Sequence, residues 1–325
     1  MNYREINAVS ASALKKFETS PKLYHDIVTG QAKSVTTEAL SFGSLVHDLV
    51  LTPEVARTKY VIANVPKPTG QMGDLCDALF RNCLWDELAD KDDVWQRSYD
   101  EVGFKQKKLE TIKEDFKTKG QPYYDLLLES KGKILVSQEE YNNAFSYKTR
   151  LMTHKGSLRL LFQKDEDFED FNELEILWKW RNLDAKSMLD RVKINHKDKI
   201  IKLIDLKTTS KPVYGKQLLR ETNPYLNRFT GFLSDIIYYD YLLQMEFYRQ
   251  ALKSLYLDYD IEVYLIPIND FQCTVYQIPE RWLYYAKMKL DRMKSEIQFH
   301  LDTNQWELSK DDYYHGFICL NEIML

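Results

Sequence analysis

The feature that most constrains this chain is a pair of β-rich runs, MLDRVKI (Met188–Ile194) and IIKLIDLK (Ile200–Lys207), joined by the hydrophilic stretch NHKDK. Two extended segments with so short a polar connection fold back on each other as an antiparallel hairpin. Side chains alternate along a strand, so Asp205 and Lys207 project to one face about 6–7 Å apart, given a rise of about 3.3 Å per residue. The turn brings Asp190 back alongside Asp205. Two carboxylates beside a lysine pack poorly, because at low dielectric the acids repel strongly unless a cation neutralises them. Hard oxygen ligands suit Mg²⁺ or Mn²⁺ better than zinc, and a neighbouring ammonium can orient a nucleophile and stabilise charge growing on a phosphate. An ordinary amphipathic hairpin with exposed Asp and Lys carries the same letters.

The surrounding composition is that of a globular protein. The 325 residues are 44% hydrophobic and 29% charged, with only 11 Gly and 9 Pro, which excludes collagen-like and low-complexity chains. No apolar stretch reaches the roughly 18 residues that span a bilayer, and MNYREINAVSAS lacks the layout of a secretory signal, so a soluble, cytoplasmic protein is expected. Cys76, Cys83, Cys273 and Cys319 form no CxxC pair; they read as reduced and structural rather than as an iron–sulfur or zinc set.

The net charge of −4 hides a segregation. Lys186 to Arg220 holds ten basic and three acidic residues, a local +7 that leaves −11 elsewhere, while Asp165 to Glu175 holds seven acids and no base. A basic segment on an acidic body suits a protein that grips a polyanion at one place; two solvated faces of opposite sign are the alternative.

With no internal repeat and no Gly/Ser linker, a single domain over 1–325 is expected, mainly helical over 1–165 and carrying a sheet and C-terminal helices over 166–325. The pattern predicts helices from Ser10 or Ser12 to Thr29, Thr37 to Leu51, 72 to 90, 99 to 119, 137 to 164 (opened by a Ser137–Glu140 capping box), Ser234 to Tyr256 and Pro279 to Leu301. LEILWKW precedes the two hairpin runs as a third meander strand, and IEVYLIPI and CTVYQI follow as strand candidates. The sum is an α/β (α+β) class, with a mixed central sheet flanked by helices.

The run MLDRVKI followed by IIKLIDLKTT resembles the core of the PD-(D/E)xK nuclease superfamily, whose fold is restriction-endonuclease-like. The closer likeness is to RecE (exonuclease VIII)-type phage recombination exonucleases. Four further motifs match in order. Ser41-Phe42-Gly43-Ser44-Leu45-Val46-His47 carries a Gly-x-x-x-His element and is followed by DLVLTPE. Glu173-Leu174-Glu175-Ile176-Leu177-Trp178 resembles Glu-x-Ser-Ile-x-Trp, with Glu175 in place of Ser. Gln244-Met245-Glu246-Phe247-Tyr248 gives Gln-x-x-x-Tyr, and a late Trp306 closes a likeness that begins near Ser10.

The resemblance implies that Asp190, Asp205, Lys207 and Glu173 are catalytic. The metal ligands would be His47, Asp190, Asp205 and the Leu206 carbonyl. Glu173 fits by its spacing to Trp178, though Glu175 two residues on leaves the assignment open. Gly43 and His47 stand one helical turn apart, so a small residue lets that helix approach the sheet while the imidazole reaches in. Gln244 and Tyr248 share a helix face and are implied as DNA contacts; Thr208, Thr209 and Lys211 are offered as phosphate donors by position alone. The implied activity is Mg²⁺- or Mn²⁺-dependent hydrolysis of double-stranded DNA, 5′ to 3′ from an end, by a ring-shaped homo-oligomer with a single-strand annealing partner. A structure- or site-specific endonuclease and a non-catalytic DNA-binding protein on the same fold are the alternatives.

Overall fold

The computed structural model describes residues 3, 6–32, 38–85, 91–105, 107–130, 132–219, 221–309 and 313–314. Its contacts group into two compact units, one of Met1–Thr52 with Ser146–Leu325 and one of Pro53–Phe145.

The first unit begins with α1 (Ala11–Phe17) and α2 (Pro21–Val28), where the sequence predicts one helix. Pro21 is the reason: it lacks the N–H that would continue the first helix, yet suits the first turn of a second. Ser10 and Ser20 cap the two, their hydroxyls accepting from Ala13 N at 3.3 Å and Leu23 N at 3.2 Å. Next comes α3 (Glu38–Leu51); its expected first residue, Thr37, lies outside the described residues.

The second unit holds α4 (Pro53–Lys59), β1 (Tyr60–Ala63), α5 (Gln71–Trp85), α6 (Lys91–Val102), α7 (Leu109–Lys119), α8 (Gln121–Glu129), β2 (Ile134–Ser137) and the start of α9 (Gln138–Thr153). Strands β1 and β2 pair in parallel. The helix expected over 99 to 119 is two, because Gly103 takes φ +70° and stops α6. Leu75, Cys76, Leu79, Ile112 and Phe116 form this unit's core. Cys76, Cys83 and Cys273 are free thiols, and Cys319 lies outside the described residues.

Back in the first unit, α9 gives way after Thr153 to a single turn, α10 (Lys155–Ser157), and a π-helical turn over Leu158–Phe162, where a helix through 164 is expected. The meander follows as predicted: β3 (Glu169–Trp180), β4 (Leu183–Asn195) and β5 (Ile200–Thr208), successively antiparallel. The turn is closed by Asn195, whose Oδ1 accepts from Asp198 N at 2.8 Å, and by Lys199 at φ +55°. After α11 (Phe232–Tyr238) and α12 (Tyr241–Leu255), β6 (Asp260–Ile268) returns parallel to β5. The two-residue β7 (Tyr276–Gln277) completes a sheet of order β3-β4-β5-β6-β7, and α13 (Glu280–Thr303) follows.

Helix α12 is the core of the arrangement. Leu242, Met245, Ala251 and Leu252 pack onto Val192, Ile194, Ile201, Leu203 and Val263 of the sheet. Leu243 and Phe247 meet Leu14, Phe17, Trp180, Leu290 and Trp306 in a second cluster. The single helix expected from Ser234 to Tyr256 is interrupted at Asp240, a left-handed residue at φ +50°.

Part of the charge segregation is taken into an ionic cluster, while Asp165, Glu166, Asp167, Lys197 and Lys199 are exposed. In the β3–β4 register Asp170 opposes Lys193 and Asn172 opposes Arg191. Asp170 takes Arg191 Nη2 at 2.8 Å and Lys193 Nζ at 3.2 Å, and Arg191 also donates to Asn172 Oδ1 and the Leu160 carbonyl. Arg191 and Lys193 are both buried, so two of the ten counted cations are spent inside the protein; Arg220 lies outside the described residues.

Removing one partner from a buried ionic cluster costs about 3–5 kcal/mol, since the remaining charges stay desolvated and unpaired. Asp170→Ala is expected to lower the unfolding free energy by about 3 kcal/mol in urea titrations; a loss below about 1 kcal/mol would show that water screens Arg191 and Lys193 in the folded state.

Candidate active site

The site forms where two backbone ladders fail. The β3–β4 pairs run to Asn172↔Arg191 and resume at Leu174↔Leu189, skipping the position where Glu173 opposes Asp190. The β4–β5 pairs end at Arg191↔Ile204, one step short of Asp190 opposite Asp205. Glu173 has a left-handed backbone at φ +49°, a conformation that costs a non-glycine residue about 1 kcal/mol or more and tends to persist where function demands it. Freed from the ladder, Asp190 uses its side chain instead: Oδ2 accepts from Leu206 N at 2.8 Å.

Three ligand atoms, from His47, Glu173 and Asp190, lie within 4.8 Å of one another, the separation His47 Nδ1 to Asp190 Oδ2 being 3.5 Å. Helix α3 delivers the histidine. It comes close to the sheet at Gly43, where a Cβ would stand 3.1 Å from Thr208 Oγ1. Of the two glutamates, Glu173 is the one that stands with His47 and Asp190. Glu175 is exposed and lies near Tyr3.

Asp205 belongs to an adjoining cluster. It is buried, its Oδ2 meets Lys207 Nζ at 2.5 Å, and its Oδ1 accepts from Gln244 Nε2 at 3.0 Å. Burial pushes its carboxyl up to about 6, against the pull of Lys207 and with the added repulsion of Asp190. Burial works against the charge on Lys207 too, but Asp205 and Asp190 outweigh it and hold the ammonium above the usual lysine range. Tyr248 receives a 3.3 Å contact from Gln244 Nε2, and burial keeps its hydroxyl firmly protonated.

Thr209 and Lys211 point elsewhere. Thr209 Oγ1 donates to Asp235 Oδ2 at 2.9 Å, and Lys211 Nζ meets Asp235 Oδ1 at 2.6 Å and Ser234 Oγ at 2.8 Å. Two residues absent from the sequence reading stand at the site instead. Lys15 of α1 donates to Gln244 Oε1 at 3.0 Å, and Tyr241 has the Lys15 and Lys207 ammoniums 5.0 and 5.1 Å from its ring centroid. Burial, then the charge of Lys207, lowers the Lys15 amine to about 8. Tyr241 was within reach of pattern reading, since Tyr241, Gln244 and Tyr248 share one helix face. Lys15 lies 229 residues from Gln244 and had no local signal.

With this geometry in place, the comparisons decide the family. A family model described as "PDDEXK-like domain of unknown function (DUF3799)" matches residues 10–306. The chain belongs to that PDDEXK-like family. A solved structure of a candidate exonuclease from Eubacterium rectale is similar at 11% identity, with a TM-score of 0.48, over 98% of this chain and 93% of the other. No curated protein matches by sequence. The PDDEXK-like membership bears out the superfamily resemblance and the mixed sheet flanked by helices. Among the described residues, no helix is long and apolar enough to cross a membrane.

The donor set of this PDDEXK-like site, carboxylate oxygens with one imidazole, fits a hard divalent cation. Clustered carboxylates that repel one another are relieved by a cation, which binds better once they are deprotonated. Mg²⁺ or Mn²⁺ is therefore expected to raise the melting temperature of metal-free protein, and the increment should grow from pH 5 to pH 7 as Asp205 ionises. Asp190→Asn should abolish the increment; an undiminished shift in that variant would remove Asp190 from the ligand set. In metal-free protein the raised Asp205 pKa acts with the opposite sign: its contribution to stability is present below about 4, the unfolded value, and is lost as pH rises through about 6.

Proposed function

We propose that the protein is a metal-dependent deoxyribonuclease that hydrolyses phosphodiester bonds of double-stranded DNA. The observation that carries this reading is the meeting of His47, Glu173 and Asp190 beside the Asp205–Lys207 pair, within a chain of the PDDEXK-like family.

His47, Glu173 and Asp190 would hold a divalent cation, with Asp205 and the Leu206 carbonyl completing its surroundings. When bound, such an ion polarises a phosphoryl oxygen and makes water a stronger acid. Lys207 works as an ammonium, because Asp205 and Asp190 keep it protonated. It orients the attacking water and faces the negative charge that grows on the phosphoryl oxygens. Gln244 holds Asp205 in place and passes the constraint to Lys15 and Tyr248. Thr208, next to Gly43 at the end of β5, is a donor for the DNA backbone, and the ammonium of Lys211 is available to a phosphate only in competition with Asp235.

The finer reading follows the resemblance to RecE-type enzymes: a 5′ to 3′ exonuclease of phage-type recombination, acting as a homo-oligomer and leaving a 3′ strand for an annealing partner. An enclosing ring would let a protein of net charge −4 bind DNA, since only the channel lining need be basic.

Linear duplexes labelled at the 5′ or the 3′ terminus, compared with a covalently closed circle with and without Mg²⁺, test this directly. Metal-dependent release of the 5′ label with the circle intact is expected. Cleavage of the circle would convert the reading to an endonuclease, and no cleavage in Mg²⁺ or Mn²⁺ would overturn it. Lys207→Ala is expected to slow hydrolysis by about 10²–10³-fold, while the metal-induced rise in melting temperature persists.

A further inference from the structure

Beside Lys207 stands a run of tyrosines to which the chemistry above gives no task. Tyr241, partly buried, lies with its ring near the Lys15 and Lys207 ammoniums. Tyr239 stacks on Tyr241, centroids 5.7 Å apart and planes 28° apart, and Tyr238 meets Tyr239 edge to face at 4.9 Å. Exposure rises along the run, to 51% at Tyr239 and 79% at Tyr238. The rings form a continuous path from the reactive lysine to solvent.

The path is built into the backbone. It turns at Asp240, whose left-handed conformation separates α11 from α12. That buried residue is pinned from two sides: Oδ1 accepts from Tyr225 OH at 2.8 Å, and Oδ2 from Lys289 Nζ at 2.7 Å. Lys289 also reaches Glu18 at the end of α1, at 2.7 Å. The braced turn joins two helices that both pack into the core and leaves two large rings between them in water. Cations stand at the inner end of the run, beside Tyr241. Besides Lys15 and Lys207, Lys211 binds Ser234 and Asp235, one helical turn before Tyr238 on α11, with its side chain 43% exposed.

Cations at the inner end of a run of aromatic faces suit a single strand of nucleic acid, whose phosphate meets the former and whose bases stack on the latter. Bases inside a duplex are stacked on each other and offer no free face to a tyrosine; bases at a frayed end do. We propose that Tyr239 and Tyr238 are the stacking platform for unpaired bases of the strand whose phosphate lies at Lys207, so that the site takes the substrate strand melted from its complement. This inference rests on the nuclease reading and names the form in which its substrate is bound.

The test is fluorescence anisotropy on a labelled duplex carrying a four-nucleotide unpaired tail, and on its twin with an abasic tail, with Ca²⁺ in place of Mg²⁺. Wild-type protein is expected to prefer the natural tail about tenfold for each engaged ring. Tyr239→Ala and Tyr238→Ala should each lose about that factor, and Tyr239→Phe should restore it. The ratio of the two affinities is taken within one protein, so a reduced folded fraction cancels. Equal affinity of the wild type for both tails, or an undiminished preference in Tyr239→Ala, overturns the platform while cleavage in a parallel Mg²⁺ assay leaves the nuclease reading standing. Absence of cleavage of any DNA in that assay overturns both.

Discussion

The site depends on the break in strand pairing around Asp190. Strands β3, β4 and β5 are paired along much of their length, yet the β3–β4 ladder skips the Glu173/Asp190 position and the β4–β5 ladder stops before Asp190/Asp205. At that break the Asp190 side chain accepts from Leu206 N while facing His47. The break leaves Glu173 and Asp190 close to Asp205, and the negative charge of Asp205 and Asp190 holds Lys207 protonated.

The same strands show how part of a concentration of opposite charges in sequence is turned inward. Asp170 neutralises Arg191 and Lys193 across the β3–β4 pair, and Lys202 lies 4.3 Å from the Phe168 ring centroid. Alternation then divides the labour along β4. Arg191 and Lys193 join the internal ionic cluster, while Asp190 on the other face meets His47 and Leu206 N. A count of charges along the chain cannot distinguish these uses, because they differ by the face of the strand.

What could be read from the sequence follows from the range of the forces involved. The hairpin register that sets Asp190 against Asp205 was legible, because a short polar turn and a two-residue period fix it locally. Gly43 and His47 became interpretable through family likeness, and their closeness to Thr208 and Asp190 is the physical content of that motif. The break at Pro21 has a local signal in Ser20-Pro21, although the helical pattern continues across it. The break at Asp240 was not visible, since nothing local demands a left-handed residue in YYDYLL; Tyr225 and Lys289, distant in sequence, stabilise it. The parallel pairing of β1 with β2 and the contact of Lys15 with Gln244 likewise join segments far apart in the chain.

Lys289 has a consequence beyond holding one turn. Its ammonium joins Glu18, just past the helix that carries Lys15, to Asp240, just before the helix that carries Tyr241 and Gln244. Helix α13 contributes none of the candidate site residues, yet it acts as a tie-bar between the two levers that flank the candidate site. Alignment at the centre is thus governed from the far end of the polypeptide, and a kink in that last long helix would register as a mis-set angle between the levers before any apolar contact was lost.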